Sequence, residues 1–306
     1  MKTVMPDSCR DFACIAGDCR HSCCVGWEID IDGASLARYR AMTGAIGQRL
    51  RNAIAGTDGT AHFRLTREER CPFLNQNGLC DLIIELGQDS LCQICADHPR
   101  FRHDLSDRTE MGLGLCCEAA GRLILGWPEP MRLVAVQDDG VFEAPDEDEL
   151  ALLSLRDALI SQMQDRTQPF DARLEMLAQR CRLPERPWRQ WRIFLLSLER
   201  LDEAWAYLLA SLPDDPPPLS AAWDIPFEQL AVYLLYRHLP DALEDGDIVG
   251  RVRFCVLITR LLRALLAAQS APDMDVLIEL ARLFSSEIEY SDENVGAILD
   301  ELARND

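Results

Sequence analysis

Cysteine placement constrains this chain more than any other feature of its sequence. Thirteen cysteines occur in 306 residues, and eleven of them lie between Cys9 and Cys117. Cys181 and Cys255 stand in helical apolar patterns, and they and Cys9 are expected to be small buried side chains. The first residues show no apolar signal-peptide core, so metal ligation explains the other ten better than a disulfide framework does. We therefore predict that the first 120 residues fold around cysteine-bound metal.

The spacing of these cysteines leaves two kinds of metal site open. Cys92 and Cys95 have the short spacing that structural zinc sites use. The adjacent Cys23 and Cys24 and the isolated Cys80 suit an iron–sulfur cluster better, since its ligands come from irregular loops. We expect an iron–sulfur cluster, with zinc as the alternative. The four sequence clusters are Cys14–Cys19–Cys23–Cys24, Cys71–Cys80, Cys92–Cys95 and Cys116–Cys117.

The chain changes character near residue 145, where short apolar runs give way to helical periodicity. We predict a mainly α protein with a cysteine-rich, loop-rich metal domain over residues 1–145, carrying few short strands, and an all-α helical bundle over 146–306. The acidic run 143–149 is either a linker or the first turn of a helix, where the helix dipole favours carboxylates. Helices are predicted at 148–164, 169–181, 187–212, 226–239, 247–269, 273–287 and 291–303, with Asp247 and Ser291 as caps of the fifth and last.

The N-terminal part gives weaker patterns. A helix is predicted from Ser35 to Ala55, and short strands are predicted at 123–125 and 133–136. Glu28, Asp30 and Asp32 alternate with isoleucines, which is typical of a half-exposed strand with a solvated acidic face. In the second half, Trp188, Trp191, Trp205 and Tyr207 are expected in one helix as core side chains.

The formal net charge of −20 argues against nucleic acid, because binding a polyanion needs neutralising Lys and Arg. It fits a basic partner such as a lysine-bearing protein segment, and it would equally serve solubility alone. The sequence has no apolar run of membrane-spanning length, so we expect no membrane association and a cytoplasmic location.

Four motifs resemble the flagellin lysine-N-methylase family. They are Cys-x4-Cys-x3-Cys-Cys-x-Gly-Trp from Cys14 to Trp27, Cys-Pro-Phe-Leu-Asn with Gly-Leu-Cys from Cys71 to Cys80, Cys-x-x-His-Pro-Arg from Cys95 to Arg100, and Cys-Cys-Glu-Ala-Ala from Cys116 to Ala120. The family has Tyr where this chain has His98, and Pro where it has Cys117. The motifs also resemble a broader group of zinc- or iron-chelating domains. The resemblance covers roughly residues 12–120 and is weak over the helical second half.

The resemblance implies a protein-lysine N-methyltransferase that uses S-adenosylmethionine on flagellin lysines and depends on an iron–sulfur cluster. It implies the four-iron type, in one or two copies. The alternative is a non-catalytic zinc- or iron–sulfur-binding or electron-transfer module with a helical partner-binding domain. Neither reading assigns a catalytic residue. Carried over residue by residue, the motifs imply eight metal ligands, with Cys92 and Cys117 as local extras: Cys14, Cys19, Cys23, Cys24, Cys71, Cys80, Cys95 and Cys116.

Two familiar donor-binding patterns are missing from the sequence. The Cys-x3-Cys-x2-Cys loop of radical S-adenosylmethionine enzymes begins at Cys19 and Cys23, but its third position is Gly26. No Gly-x-Gly-x-x-Gly fingerprint or strand–helix alternation supports a Rossmann-type methyltransferase. The missing fingerprint and the surplus of cysteines motivate the hypothesis that an open iron of the cluster coordinates the amino-acid end of the donor.

Overall fold

The computed structural model describes residues 2–57, 59–138 and 144–304. The chain forms two compact units, a smaller one from Ala13 to Phe101 and a larger one that combines Met1–Phe12 with Arg102–Asp306. The protein is mainly helical with few strands, as predicted. The boundary that we predict near residue 145 falls inside the larger unit, because the first strand of the chain pairs with strands from residues 109–113 and 133–138.

The smaller unit consists of short elements around one apolar core. Its core side chains include Leu36, Tyr39, Phe63 and Phe73, each at most 2% exposed. Three two-residue strands form an antiparallel sheet in the order β2-β4-β3. The elements are β2 (Ile29–Asp30), α1 (Gly33–Ala41), α2 (Gly44–Ala53), β3 (Ile54–Ala55), β4 (His62–Phe63), α3 (Asp81–Leu86) and α4 (Gln93–Asp97).

The helix predicted from Ser35 to Ala55 is two helices, α1 and α2. The chain becomes extended at Met42 and Thr43, and Gly44 then takes a positive φ of 75° that few other residues adopt. The cap of α1 is Asp32 rather than Ser35, since the Asp32 carboxylate accepts a hydrogen bond from the Ser35 backbone N–H. The solvated acidic face that we expected at Asp32 is therefore wrong for this residue.

The larger unit contains β1 (Lys2–Pro6), β6 (Thr109–Leu113) and β7 (Leu133–Asp138), which join β5 (Arg100–Asp104) in one sheet. The strand order is β5-β6-β1-β7, and β1 runs parallel to β6 and antiparallel to β7. The predicted strand at 133–136 is confirmed within β7. The strand predicted at 123–125 is wrong, because these residues end a helix whose buried face includes Ala120, Ile124 and Leu125. That helix is α5 (Glu118–Leu125).

All regular elements that the structure describes after residue 143 are helical, and most lie within two residues of the predicted bounds. The helix predicted over 187–212 is two helices separated near Ser197–Leu201, and the one predicted to end at 287 finishes in a π-helical turn, Ser285–Glu289. The α-helices described after residue 143 are α6 (Glu147–Met163), α7 (Phe170–Arg180), α8 (Trp188–Leu195), α9 (Glu203–Ser211), α10 (Asp224–His238), α11 (Ala242–Asp245), α12 (Ile248–Ala267), α13 (Met274–Phe284) and α14 (Asp292–Ala303).

Helix caps follow the sequence closely in this unit. Asp247 and Ser291 cap α12 and α14 as predicted. The acidic run is the first turn of α6, with Asp146 accepting a hydrogen bond from the Glu149 N–H. Glu143, the first residue of that run, lies outside the described residues.

Helix α10 lies at the centre of the larger unit and packs on α5, α6 and α12. Its residues are buried from Pro226 to His238. Because α10 is buried on all sides, its charged side chains need partners inside the protein. Glu228 pairs with Arg166 and Arg173, and Arg237 and His238 both approach Glu289.

No helix in the described part of the chain combines the length and the apolarity that crossing a membrane would require.

Candidate metal centre

Five cysteines of the smaller unit come together at its apolar core. Cys71 and Cys92 belong to the core itself, and Cys24, Cys80 and Cys95 pack against it as partly buried side chains. All thirteen cysteines of the chain lie in the described residues, and none is in a disulfide. We call these five residues the thiol group.

Backbone pairing brings Cys24 to Cys71. Val25 and Arg70 form an antiparallel bridge, and the Cys71 N–H donates to the Cys24 carbonyl at 2.8 Å. Arg49 holds the following turn, since its guanidinium donates to the Pro72 carbonyl at 2.7 Å. Two cysteines that are 47 positions apart in the sequence thereby become neighbours.

A tight turn then presents Cys80. Leu74 and Cys80 form a second bridge, and the Asn75 side-chain oxygen accepts the backbone N–H groups of Asn77 and Leu79. Gly78 supplies the positive φ of 71° that the turn requires. The Cys-Pro-Phe-Leu-Asn and Gly-Leu-Cys segments of the sequence motif are thus two sides of one hairpin.

Asp32 anchors the segment that carries Cys92 and Cys95. Its Oδ1 caps α1, and its Oδ2 accepts the Gln93 N–H at 2.8 Å, at the first residue of α4. Tyr39 adds a second link, because its hydroxyl donates to the Ser90 carbonyl at 2.7 Å. These bonds fix the start of α4 against α1.

Burial and neighbouring thiols shift the pKa values of these cysteines. A hydrogen bond from the Cys23 thiol lowers the pKa of Cys24 to about 7, although burial acts against it. Burial raises the pKa of Cys71 to about 12, and charge at Cys24, Cys80 or Cys92 would raise it further.

A direct thiol–thiol hydrogen bond links Cys92 and Cys95. It lowers the pKa of Cys92 and raises that of Cys95, and burial adds to the rise at Cys95. Burial is also the main cause of the raised pKa of Cys80. Several thiolates cannot share this apolar site unless a cation neutralises them, and metal binding at such a site releases protons.

The other predicted ligands have different surroundings. Cys23 is exposed beside Cys24. Cys14 is exposed, with its sulfur accepting the Ala16 N–H, and the Cys19 thiol donates to the His21 carbonyl at 3.1 Å. The loop that holds these two cysteines packs on the Cys80 hairpin, since a Cβ at Gly17 would come within 2.7 Å of the Asn77 carbonyl oxygen.

Cys116 belongs to the larger unit. Burial raises its pKa to about 11, and the Tyr290 hydroxyl donates a hydrogen bond to its sulfur, which acts in the opposite direction. Arg237 and Glu289 are its charged neighbours there.

Across the described residues, no three His, Cys, Asp or Glu side chains form a group that would hold a metal ion as it stands. Zinc would require four ligand atoms at about 2.0–2.3 Å from one ion. The ligands of a cluster sit on separate iron atoms and arise from irregular loops. The five thiols are soft donors of the type that hold iron–sulfur clusters or zinc, so the chemistry of the thiol group fits either.

Sequence reasoning treated Cys92 as a local extra and gave Asp32 no role. Cys92 is fully buried within the thiol group, and Asp32 fixes the backbone beside it. The Cys-x2-Cys spacing to Cys95 was the signal that pointed to Cys92. No sequence signal pointed to the bond between Asp32 and Gln93, because the two residues are 61 positions apart.

Replacing Asp32 with Ala is expected to destabilise the smaller unit by about 1–2 kcal/mol, the usual cost of a lost helix cap, because two backbone N–H groups lose their acceptor. The pKa of Asp32 is lowered to about 2, chiefly by the Gln93 N–H. The stabilisation of the folded state by the Asp32 carboxylate is thus fully present above the ordinary pKa of aspartate, and it is lost as the pH falls toward 2. Thermal unfolding followed by circular dichroism at pH 7 and pH 3 measures both effects. The exposed neighbour Asp30, changed to Ala, is the control, and equal melting of the two variants would contradict the role of Asp32.

Comparison with known proteins finds a family model that matches the C-terminal helices of this chain. Residues 193–306 match the FliB lysine N-methylase C-terminal domain. The chain is a relative of the FliB-like lysine N-methylases. The family that the cysteine motifs indicated is thus confirmed. The match lies in the helical part of the chain, where the motifs gave only a weak resemblance.

Three curated relatives support this assignment. The flagellar biosynthetic protein FliU of Salmonella muenchen is 27% identical over 128 residues, which is 40% of this chain and 76% of FliU. The lysine-N-methylases of Salmonella typhimurium and Salmonella choleraesuis are each 26% identical over 136 residues. Those alignments cover 40% of this chain but only 32% of each methylase. No solved structure matches the chain.

Proposed function

We propose that this protein transfers methyl groups from S-adenosylmethionine to lysine side chains of a partner protein, and that flagellin is its substrate. The match of residues 193–306 to the FliB lysine N-methylase domain carries this proposal. The names of two curated relatives, both lysine-N-methylases, support the same reaction.

The reaction is a polar substitution. The lysine ammonium first loses its proton, because the nitrogen lone pair is the nucleophile. That lone pair forms the N–C bond while the C–S bond of the sulfonium breaks, and its electrons remain on sulfur in S-adenosylhomocysteine. Since a free lysine has a pKa near 10.4, a desolvated approach or a neighbouring base must favour the neutral amine.

The proposed enzyme depends on an iron–sulfur cluster, which Cys24, Cys71, Cys80, Cys92 and Cys95 would hold. When bound, such a cluster supplies covalent cross-links between loops and a centre for one-electron chemistry. Methyl transfer to an amine needs no electron, so we assign the thiol group a structural role. It ties the Cys24 segment, the Cys80 hairpin and the start of α4 together in a unit whose strands are only two residues long.

Charge supports a basic partner. The chain carries 51 acidic and 31 basic side chains, so a lysine-bearing protein segment would be attracted to it over a long range. A cytoplasmic location would allow the enzyme to meet its substrate before export.

The test is a methylation assay with anaerobically purified, iron-loaded full-length protein. We expect incubation with S-adenosylmethionine and flagellin to add methyl groups to flagellin lysines, as mass spectrometry of peptides detects. Addition of S-adenosylhomocysteine should suppress the product. If no methylation occurs with the metal site filled, the alternative of a non-catalytic metal-binding module gains support.

A further inference from the structure

The larger unit contains a cleft of about 870 Å³ that the metal centre does not involve. Its walls are α7, the loop that follows it, the start of α8 and the proline segment 216–218, and α12 forms its floor. This volume is within the range of small-molecule binding sites. The cleft lies entirely in one unit, so its shape is set by that unit alone.

Most charged side chains that line the cleft already have partners. Arg260 pairs with Glu175, and Arg263 pairs with Asp171 at 2.7 Å. Arg186 pairs with Glu301. The first two pairs join α12 to α7, and the third joins the loop before α8 to α14, so these charges are neutralised within the protein.

Two lining residues differ from the rest. Arg182 and Glu185 are exposed on the loop between α7 and α8, and within the described chain neither side chain makes a hydrogen bond or an ion pair. One is a cation and the other an anion, and they lie three positions apart on the loop that lines the cleft. Together they complement a zwitterion, since a guanidinium binds a carboxylate and a carboxylate binds an ammonium.

The backbone at Arg182 is unusual for an arginine. It has a φ of +52° and occupies the left-handed position that ends α7. The Leu183 N–H donates to the Ala178 carbonyl, and the Arg182 N–H donates to the Gln179 carbonyl, which is the Schellman arrangement. Glycine is the favoured residue at that position, so the arginine is present at a conformational cost.

An aromatic side chain completes the site. Trp188 is half-buried in the first turn of α8 and lines the cleft, in contrast to Trp191 and Trp205, which are core residues as expected. Our prediction that Trp188 and Tyr207 are also core is wrong, because Tyr207 is 75% exposed. An accessible indole face can stack on a planar base or bind a cation such as a sulfonium.

We propose that this cleft binds the methyl donor, S-adenosylmethionine, with its carboxylate on Arg182, its ammonium on Glu185 and its adenine or sulfonium on the Trp188 indole. The inference rests on the proposed methyltransferase function. It gives the donor a site in the helical unit, in place of coordination by iron.

The experiment measures binding of S-adenosylhomocysteine and of methylthioadenosine, which lacks the amino-acid end, to the full-length protein by calorimetry. Arg182→Gly should weaken S-adenosylhomocysteine about tenfold or more, the effect of one charge-assisted hydrogen bond, and leave methylthioadenosine unchanged. Because Gly suits the left-handed position, this variant should melt no lower than the parent. Trp188→Ala should weaken both ligands.

Two controls match these variants. Arg189→Ala removes the same charge from an exposed residue on α8 that does not line the cleft, and Tyr207→Ala removes an exposed aromatic from the same unit. Both should bind the two ligands as the parent does. Loss of binding in either control to the same extent as in its partner variant would overturn the proposal.

Further outcomes separate this proposal from the proposed function. If Arg182→Gly and Trp188→Ala bind S-adenosylhomocysteine normally while flagellin is methylated, the cleft proposal fails and the function stands. If they lose binding while the parent methylates nothing, the cleft proposal stands and the function fails. If the parent does not bind S-adenosylhomocysteine, or if the variants lose a lysine-bearing flagellin peptide instead, the cleft is not the donor site.

Discussion

Replacing Cys92 and Cys95 together with serine is expected to abolish binding of the proposed iron–sulfur cluster and to unfold most of the smaller unit. The two thiols are hydrogen-bonded to each other at the unit's core, and Cys92 is fully buried. Serine keeps their size but offers a hard oxygen in place of the soft sulfur that iron–sulfur clusters require. Metal ligation of this kind contributes on the order of 10 kcal/mol to folding in small cysteine sites, more than the elements of this unit can replace.

Iron and acid-labile sulfide per chain, measured after anaerobic purification, test this expectation. The control is Cys181→Ser, which changes a buried cysteine of the larger unit whose thiol donates to the Ala178 carbonyl, a bond that serine can also make. The parent and the control should share the same broad visible absorbance, and the double variant should be colourless. Full iron content in the double variant would remove Cys92 and Cys95 from the site.

Metal analysis and visible absorbance of the same samples also identify the metal. Colourless parent protein with stoichiometric zinc would replace the iron–sulfur proposal with the zinc alternative. Cys116→Ser examines the implied ligand that lies in the larger unit. Retained iron in this variant would confine the ligands to the smaller unit.

Sequence patterns predicted the local features of this fold better than its long-range pairings. Helices α12 and α14 and their caps were predicted because periodicity and capping are local properties. The breaks after α1 and α8 were missed, since the apolar pattern continues across them. The strand predicted at 123–125 failed because a three-residue apolar run fits a strand and a buried helix equally well.

In the candidate metal site, too, the sequence predicted local features but not long-range contacts. Cysteine types and spacings predicted that a metal centre exists, but they did not predict which cysteines meet. That depends on the bridge between Val25 and Arg70 and on the bond from Gln93 to Asp32, each of which joins distant parts of the chain. The cleft carried no sequence signal, because Arg182 gains its significance from a backbone conformation and from the absence of partners within the described residues.

Replacing Glu289 with leucine is expected to destabilise the larger unit by about 3–5 kcal/mol, the usual cost of removing one member of a buried ion pair. The side chain of Glu289 is fully buried at the end of the π-helical turn. Its carboxylate accepts the Tyr233 hydroxyl at 2.9 Å, lies 2.8 Å from His238 Nε2, and is 3.5 Å from the Arg237 guanidinium. Removing the Glu289 carboxylate would take a neutralising charge away from the buried Arg237 guanidinium.

The contacts of Glu289 also make the stability of the larger unit depend on pH. Burial alone would raise the pKa of Glu289, but the charge of Arg237 and the hydrogen bond with His238 lower it from 4.5 to about 2. Because the folded pKa lies below the unfolded one, the contribution is fully present above pH 4.5 and is lost as the pH falls toward 2. Its size is about 3 kcal/mol, from about 1.4 kcal/mol for each pKa unit.

Glu289→Gln separates charge from shape, because it keeps a side chain of the same size that can hydrogen-bond but does not titrate. Urea unfolding between pH 2 and pH 7 should show a smaller loss of stability on acidification in this variant than in the parent. Glu203→Gln is the control: Glu203 forms an exposed pair with Arg200 and should change stability by less than about 1 kcal/mol at any pH.

A double replacement, Glu289→Leu with Arg237→Leu, should cost less than the sum of the two single replacements, since neither charge is then left unpaired. Strict additivity, or an unchanged acid limb in Glu289→Gln, would mean that other carboxylates control the acid stability of this unit.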